Sequence, residues 1–192
     1  VHGLRAPWHF FAESYWGPSR GEDALYRPLV VLAFSLQWAA AGGAAWVFHA
    51  VNILLAAATA VLVLALLRQV LPAGPARAGA VLFAAHPVHV EAVANVVGQA
   101  ELWVGAALVG ALALYARDRR VGEVRPATQA AMLLLYAVAL AAKEHGIVLP
   151  ALVVALELAG RSRGFASAPL ATAQLRRLVL ALALVAVGYL AL

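Results

Sequence analysis

Residues 44–67 have the sequence AAWVFHAVNILLAAATAVLVLALL, and this stretch decides the fold class because it is apolar and carries no formal charge. A helix rises about 1.5 Å per residue, and the hydrocarbon core of a bilayer is about 30 Å thick. The 24 residues of this stretch are therefore enough to cross a membrane. We predict a transmembrane helix here.

The overall composition also indicates that most of the chain lies in a lipid bilayer. Apolar residues make up 65% of the chain, the mean hydropathy is +0.87, and charged residues reach only 12%, against about 25% in soluble domains. The chain has no cysteine, so disulfides and thiolate sites are excluded. Its net charge of +5 is spread between apolar segments and forms no single basic patch. This distribution indicates a lipid bilayer as the partner and argues against nucleic acid.

Further apolar runs predict an all-α, polytopic membrane protein with about six transmembrane helices. Residues 28–41 are too short for a span and predict an interfacial or re-entrant helix. We therefore divide the chain into an extracytoplasmic loop with aromatic residues and that interfacial helix (1–43) and one transmembrane bundle (44–192). The further runs are 78–97, 102–116, 127–142, 147–156 and 178–192.

The basic residues predict the orientation of these helices. Three loops hold ten of the fourteen Lys and Arg residues, and an even number of predicted spans separates each loop from the next. The positive-inside rule places such loops in the cytoplasm. The opposite, non-cytoplasmic face then receives residues 1–27, 86–101 and 143–146. The ten basic residues are Arg68, Arg77, Arg117, Arg119, Arg120, Arg125, Arg161, Arg163, Arg176 and Arg177.

Residues 83–94, with the sequence FAAHPVHVEAVA, place ionisable groups where the apolar pattern predicts a membrane helix. Such groups at membrane depth indicate a functional site. Prolines before residue 77 predict a new helix start, and a helix from there has risen only about 12 Å by residue 85. The polar groups therefore lie in the outer half of the membrane or line a cavity there. They are His86, His89 and Glu91.

Three interpretations of this motif stay open. It is a pocket for a substrate or a phosphate, a set of structural hydrogen bonds, or a metal site, since histidines three positions apart share one helical face. Pro87 weakens the metal interpretation because the backbone around it need not be helical. The polar run then continues through Asn95, Gln99 and Glu101.

Other polar residues fall on the same predicted face. His49 and Asn52 are three positions apart on the first span, where they either belong to a site or bond to a neighbouring helix. Arg27 lies there against the positive-inside bias, and a guanidinium can bind a phosphate with two parallel hydrogen bonds. Lys143 and Glu144 are either a local ion pair at a helix end or part of a site.

The order and spacing of these motifs resemble the transmembrane-and-tetratricopeptide-repeat O-mannosyltransferases and their bacterial relatives, which are glycosyltransferases of the GT-C type. The resemblance covers residues 8 to about 160, and the run HPVHVEAVA at 86–94 is its most specific part. The matching motifs are Trp16-Gly17, Tyr26 to Leu29, Phe48-His49 with Asn52, Leu82 to Ala94, Gly98 with Glu101-Leu102, and Lys143-Glu144 with Gly146.

The resemblance implies a partial GT-C core in a multi-pass protein, with a bacterial inner membrane and a periplasmic active face as the expected location. It implies inverting transfer of a sugar from a polyprenyl-phosphate carrier to a hydroxyl of a protein or glycan acceptor. It indicates no cofactor, although a divalent metal stays open. The substrate-binding residues it implies are Tyr26, Arg27, His49, Asn52, His86, His89, Glu91, Glu101, Lys143 and Glu144.

The resemblance assigns no catalytic residue in this chain. The catalytic carboxylate of the family lies in its first outer loop, which we expect upstream of residue 1, and Glu13, Glu22 and Asp23 do not match its acidic motif. We therefore expect this chain alone to be an inactive fragment. Relatives usually carry Arg where this chain has Gln99, and no 34-residue repeat is present.

Two alternatives from other classes remain. The first is a transporter or metal-ion channel that uses the His and Glu cluster, although such folds often show internal repeats. The second is a non-catalytic membrane scaffold.

Overall fold

The computed structural model describes residues 26–163 and 172–191, and every regular element in these two ranges is a helix. This confirms the predicted all-α class. The aromatic loop predicted before Tyr26 lies outside the described residues. The α-helices are α1 (Pro28–Ala41), α2 (Ala45–Val70), α3 (Ala73–Ala85), α4 (Val90–Ala94), α5 (Gln99–Val121), α6 (Pro126–Ala142), α7 (Leu149–Arg163) and α8 (Thr172–Leu190); 3-10 turns cover Pro87–His89, Val96–Gly98 and Glu144–Val148.

Within the described residues, three helical stretches are long and apolar enough to cross a membrane: Ala45–Val70, Val96–Val121 and Ala173–Leu190. In the most apolar part of Ala45–Val70 only 11% of the residues are buried inside the protein. An apolar helix that packs so little against its own chain needs lipid around it. The chain is therefore an integral membrane protein. Helices α1 and α6 are apolar but shorter, and a total of six spans stays a prediction.

Helix α5 is the axis of the bundle, since it packs against α2, α6 and α7. One buried core joins α5 to α6, α7 and α8, and a second joins α5 to α1 and α6. The first core is built around Tyr115, Met132, Tyr136, Leu140, Leu149, Val153, Leu178 and Leu182; the second contains Val30, Ala100, Val104, Ala107, Ala139 and Ala142.

The span predicted over 78–97 is not one continuous helix. Helix α3 ends at Ala85, and His86 has an extended backbone with φ −70° and ψ 128°. Pro87 causes this break, because a proline disfavours helical geometry in the residue before it and donates no backbone hydrogen bond. The 13 residues of α3 rise about 20 Å, which is less than a hydrocarbon core. The polar motif thus follows a short helix, as predicted, but α3 begins at Ala73 and not near Arg77, because a proline is tolerated in the first turn of a helix.

Contacts near the helix ends define the two ends of the bundle. Arg120 Nη1 donates to the Arg68 carbonyl oxygen at 3.3 Å, and Gln174 Nε2 donates to the Val124 carbonyl oxygen at 3.0 Å. These bonds bring the last turns of α2 and α5, the loop after α5 and the start of α8 together, and we call this the inner end. The segments with the polar motifs meet at the opposite end, which we call the outer end.

Candidate functional site

A cleft of about 540 Å³ opens at the outer end of the bundle. Its walls come from the residue before α1, the segment between α3 and α5, the first turn of α5 and the residue after α6. We call it the outer cleft. Its polar and charged lining residues are Arg27, His89, Glu91, Asn95, Glu101 and Lys143.

Arg27 forms an ion pair across the bundle with Glu144. Its Nη2 lies 3.2 Å and 3.3 Å from the two carboxylate oxygens of Glu144. The Arg27 side chain is only 11% exposed, whereas that of Glu144 is 53% exposed. Burial alone would raise the pKa of the Glu144 carboxyl, but its backbone hydrogen bond and the Arg27 charge outweigh this and lower it. The carboxylate is therefore ionised at neutral pH.

Lys143 pairs with Glu101 on α5, and the local Lys143–Glu144 pair is not the arrangement in the structure. The backbone of Lys143 is extended, with φ −164° and ψ 144°. Successive side chains of an extended backbone point to opposite sides, so the two neighbours reach different partners. His145 Nε2 lies 2.8 Å from the second carboxylate oxygen of Glu101. One carboxylate thus contacts both a lysine and a histidine.

Tyr26 anchors the segment that carries Arg27. The ring centroids of Tyr26 and Tyr189 are 6.1 Å apart, and the Tyr189 hydroxyl donates to the Tyr26 carbonyl oxygen at 3.3 Å. Tyr189 lies near the end of α8. The contact therefore ties the start of α1 to the last helix of the chain.

The two histidines of the motif do not share a helical face. His86 precedes the 3-10 turn, and its Nδ1 accepts a hydrogen bond from the Val88 backbone N–H at 3.2 Å. The ring centroids of His86 and His89 are 6.3 Å apart, and the His89 ring lies 4.4 Å from that of Phe83. Among the described residues, no group of three His, Asp or Glu side chains could hold a metal ion.

A buried chain of side-chain amides bonds to the backbone of the segment between α3 and α5, which carries the polar motif. Gln99 is fully buried; its Nε2 donates to Asn52 Oδ1 at 2.9 Å, and its Oε1 accepts from Gln37 Nε2 at 2.9 Å. Asn52 in turn donates to the carbonyl oxygens of Val93 and Asn95 at 3.2 Å and 3.0 Å. Of the two interpretations of Asn52, the structure shows bonds to a neighbouring segment. Position 99 is closed to a ligand, because its amide is buried and engaged.

Sequence reasoning missed Gln37, although a signal for it was present. Gln37 is a glutamine inside the otherwise apolar helix α1, and a polar residue in such a helix usually bonds to another helix. His49, which the sequence placed on the same helical face as Asn52, lines a separate pocket of about 530 Å³ together with His86 and His89. His89 lines this pocket and the outer cleft.

Two motif glycines allow close contacts beside the outer cleft. A Cβ added to Gly98 would lie 2.7 Å from Ala92 Cα, and one added to Gly146 would lie 2.9 Å from Ala139 Cβ. Both distances are shorter than van der Waals contact. A side chain at either position would therefore displace the turn that precedes α5 or the turn that follows α6. The first turn lies just before Glu101 and the second follows Lys143, and both of these residues line the cleft.

An apolar groove of about 470 Å³ runs between α2, α3 and α5. It shares His89, Ala92 and Glu101 with the outer cleft, so a polar and an apolar cavity adjoin. This combination suits an amphiphile with an anionic head and a hydrocarbon tail. Lining residues of this apolar groove are Ile53, Ala56, Ala60, Phe83, Gly105 and Val109.

The fold and the site define the chain as a helical membrane protein whose outer cleft is rich in charged groups and adjoins an apolar groove. Its homologues are named protein O-mannosyl-transferases. Tmtc2 of Drosophila melanogaster is 38% identical over 151 residues, which cover 73% of this chain and 16% of that protein. TMTC1 of Homo sapiens is 37% identical over 160 residues, covering 76% of this chain and 18% of the relative.

TMTC3 of Mus musculus is 33% identical over 141 residues, which cover 71% of this chain and 15% of that protein. The chain thus spans about a sixth of the length of these curated relatives. No protein-family model matches the chain, and no solved structure matches it.

Proposed function

We propose that this chain forms the donor-binding part of a membrane protein O-mannosyltransferase of the GT-C type. The donor is a sugar linked to a polyprenyl phosphate, and the acceptor is a hydroxyl group of a protein or glycan. One observation carries the proposal. The outer cleft, which holds two cations, and the apolar groove share His89 and Glu101, so the two cavities together match the polar and apolar parts of such a donor.

The phosphate of the donor would bind to Arg27 and Lys143. A guanidinium and an ammonium form strong, charge-assisted hydrogen bonds to phosphate oxygens. In sugar transfer the phosphate leaves as an anion, and fixed cations beside it stabilise the charge that develops. The imidazole of His89 and the polar groups of Glu91 and Asn95 line the remaining cleft and would contact the sugar.

The first isoprene units of the donor would lie in the apolar groove. The helices around it present small side chains toward the cavity, including alanines of α2 and Gly105 of α5. A Cβ on Gly105 would meet only Thr59 Cγ2, at 3.9 Å, so this glycine leaves open space in the wall. Transfer of a polyprenyl chain from lipid into such a groove costs little, because both surroundings are apolar.

The proposed topology places the outer end on the non-cytoplasmic face and the basic inner end in the cytoplasm. Six spans, a bacterial inner membrane and a periplasmic active face complete the proposal. We assign the base that activates the acceptor hydroxyl to no residue of this chain. We therefore predict that the chain binds the donor but does not transfer the sugar by itself.

Photo-crosslinking tests the proposal. A farnesyl phosphate with a diazirine at the tail end is bound to the chain in lipid nanodiscs, and the labelled peptides are sequenced. Labels are expected on α2 and α5 where they line the apolar groove. Gly105→Leu should suppress them, because the added side chain fills the groove. Gly188→Leu is the matched control, since nothing lies within 4 Å of a Cβ at this exposed glycine of α8.

Equal labelling of the wild type and Gly105→Leu would contradict the proposal. Labels spread over the lipid-facing side of α2 would contradict it as well, because they would show partition into the bilayer in place of binding.

A further inference from the structure

We infer that the inner end of the bundle binds the headgroup of an anionic phospholipid, at a corner formed by Arg68, Arg77 and Arg120. We call these three residues the inner arginine corner. Arg68 and Arg77 lie on the neighbouring helices α2 and α3, and Arg120 lies on α5. The inference does not depend on the donor, because no residue of the corner lines the outer cleft.

The packing of three helices brings the corner together. Arg120 Nη1 donates to the Arg68 carbonyl oxygen at 3.3 Å, so the end of α5 contacts the last turn of α2. A Cβ added to Gly79 on α3 would lie 2.9 Å from the Cδ1 of Leu67, the residue before Arg68. Arg77 precedes Gly79 by two positions. The start of α3 therefore packs beside the same turn of α2 that Arg120 contacts.

The three guanidinium groups are open to an external anion. All three side chains are exposed, and no carboxylate of the described residues forms an ion pair with them. Besides the Arg68 carbonyl oxygen, Arg120 donates only to the neutral side chain of Gln69, at 3.4 Å. The segment 164–171, which joins α7 to α8 outside the described residues, contains no Asp or Glu that could supply a partner.

The surrounding inner end adds to the positive charge. Its described residues include eight arginines and three carboxylates, an excess of five positive charges. Asp118 and Glu157 pair with Arg125 and Arg119, and Glu123 is exposed on the loop after α5. Such an excess attracts anionic headgroups, and guanidinium groups form charge-assisted hydrogen bonds to their phosphates. The eight are Arg68, Arg77, Arg117, Arg119, Arg120, Arg125, Arg176 and Arg177.

The apolar surface beside the corner favours a lipid over a soluble anion. In the most apolar part of α2, which ends at the corner, only 11% of the residues are buried inside the protein. Val61 on α2 and Val81 and Leu82 on α3 are 66%, 66% and 71% exposed. A phospholipid can therefore place its phosphate at the arginines and its acyl chains along α2 and α3. A phosphate without acyl chains would gain only the first of these contacts.

The test compares two lipids with the same acyl chains and different charge. Native mass spectrometry of the whole chain in a neutral detergent measures the dissociation constant of the first bound lipid. The wild type should bind phosphatidylglycerol at least about tenfold more tightly than phosphatidylcholine, since each Arg near the headgroups contributes about fivefold. Arg68→Gln/Arg77→Gln should lower this preference at least about fivefold and leave phosphatidylcholine binding unchanged. Arg120 is kept, because its bonds join α5 to α2.

Arg176→Gln/Arg177→Gln is the matched control. It removes two exposed arginines from the same end of the bundle, at the start of α8, which packs against α6 and α7. The two double variants thus have equal net charge and differ only in position. The control should keep the wild-type preference within about twofold, because salt screens charges beyond about 8 Å. The melting temperatures of both variants should equal that of the wild type.

An equal loss of preference in both double variants would overturn the inference, because the attraction would then come from net charge and not from the corner. The wild-type preference in Arg68→Gln/Arg77→Gln would overturn it as well. If sn-glycerol 3-phosphate displaced phosphatidylglycerol at equal concentration, the corner would be a site for a soluble phosphate, which also contradicts the inference. The single variants Arg68→Gln and Arg77→Gln repeat the test, each with a smaller loss, if the double variant does not fold.

Discussion

One buried ion pair at the inner end of the bundle and two ion pairs at the outer end differ in their access to water. At the inner end, Arg119 on α5 pairs with Glu157 on α7 at 2.9 Å, and both side chains are 2% exposed. The Tyr115 hydroxyl donates to the same carboxylate at 2.8 Å, and Arg119 also donates to the Gly122 carbonyl oxygen. At the outer end, the carboxylate of each pair is more exposed than its cation, 53% against 11% for Glu144 and Arg27 and 39% against 22% for Glu101 and Lys143.

This difference in exposure determines whether an ion pair can bind a ligand. The inner pair is closed to ligands and surrounded by its own donors, so it can only hold α5 and α7 together. A half-exposed pair contributes little to stability and can exchange its carboxylate for another anion. The same chemical groups thus serve structure at one end and, as we propose, binding at the other.

Loss of the inner carboxylate should have the largest effect. Glu157→Ala leaves the Arg119 charge buried without its partner, which should cost about 3–5 kcal/mol of unfolding free energy. Glu144→Ala at the outer end should cost less than about 1 kcal/mol. Thermal unfolding in detergent, followed by tryptophan fluorescence, measures both. Equal losses at the two ends would break the comparison.

A paired replacement sharpens the comparison. Arg119→Met/Glu157→Leu removes both buried charges and keeps apolar volume, so it should regain most of the stability lost in Glu157→Ala. Glycosyl-donor binding should be unchanged in this variant, because neither residue lies at the outer end. A double variant that stays as unstable as Glu157→Ala would show that the cluster does more than pair charges.

The amide chain at Gln99 predicts the next effect. Gln99→Arg places a guanidinium in a fully buried position whose neighbours are amides, and it should cost about 3 kcal/mol. Gln37→Glu supplies a carboxylate at hydrogen-bonding distance. The pair Gln37→Glu/Gln99→Arg should therefore be more stable than Gln99→Arg alone in the same unfolding measurement. If the stability of the double variant is no higher than that of Gln99→Arg, then an arginine at position 99 does not pair with a carboxylate at position 37.

The smallest effect is the pH dependence of the outer pair. The pKa of Glu144 lies below its ordinary value of 4.5, so its ion pair stabilises the fold above that pH. The contribution is lost as the pH falls through the lowered pKa. The melting temperatures of the wild type and Glu144→Gln should therefore converge as the pH falls below 4.5, starting from a difference worth less than about 1 kcal/mol at pH 7. A difference in melting temperature that grows as the pH falls would show that the ion pair of Glu144 does not stabilise the fold at neutral pH.

Much of this arrangement was readable from the sequence. Hydropathy and prolines predicted helix α2, the bounds of α1 and the break between α2 and α3, whereas the break at His86 was missed because 78–97 was predicted as one span. The orientation argument predicted Arg27 and Lys143 on the same side of the membrane, and both line the outer cleft. Their partners were not predictable, since Arg27 and Glu144 are 117 positions apart and pair only through the rotation of packed helices. Chain proximity misled at Lys143, whose extended backbone separates it from Glu144.

The inner cluster was missed for a related reason. Arg119 counted only as one of several loop cations that set the orientation, and Glu157 drew no attention inside an apolar helix. A lone carboxylate in such a helix is the signal that could have found the pair, because an unpaired charge there is too costly to persist.

The central claim is that Arg27 and Lys143 bind an anionic ligand, whereas the buried inner pair only stabilises the bundle. The most direct test is the affinity of the chain for farnesyl methyl phosphate in nanodiscs. Arg27→Gln/Lys143→Gln should weaken binding about a hundredfold, from the loss of two charge-assisted hydrogen-bonding groups, with unfolding changed by less than about 1 kcal/mol. Wild-type affinity in this double variant would contradict the account.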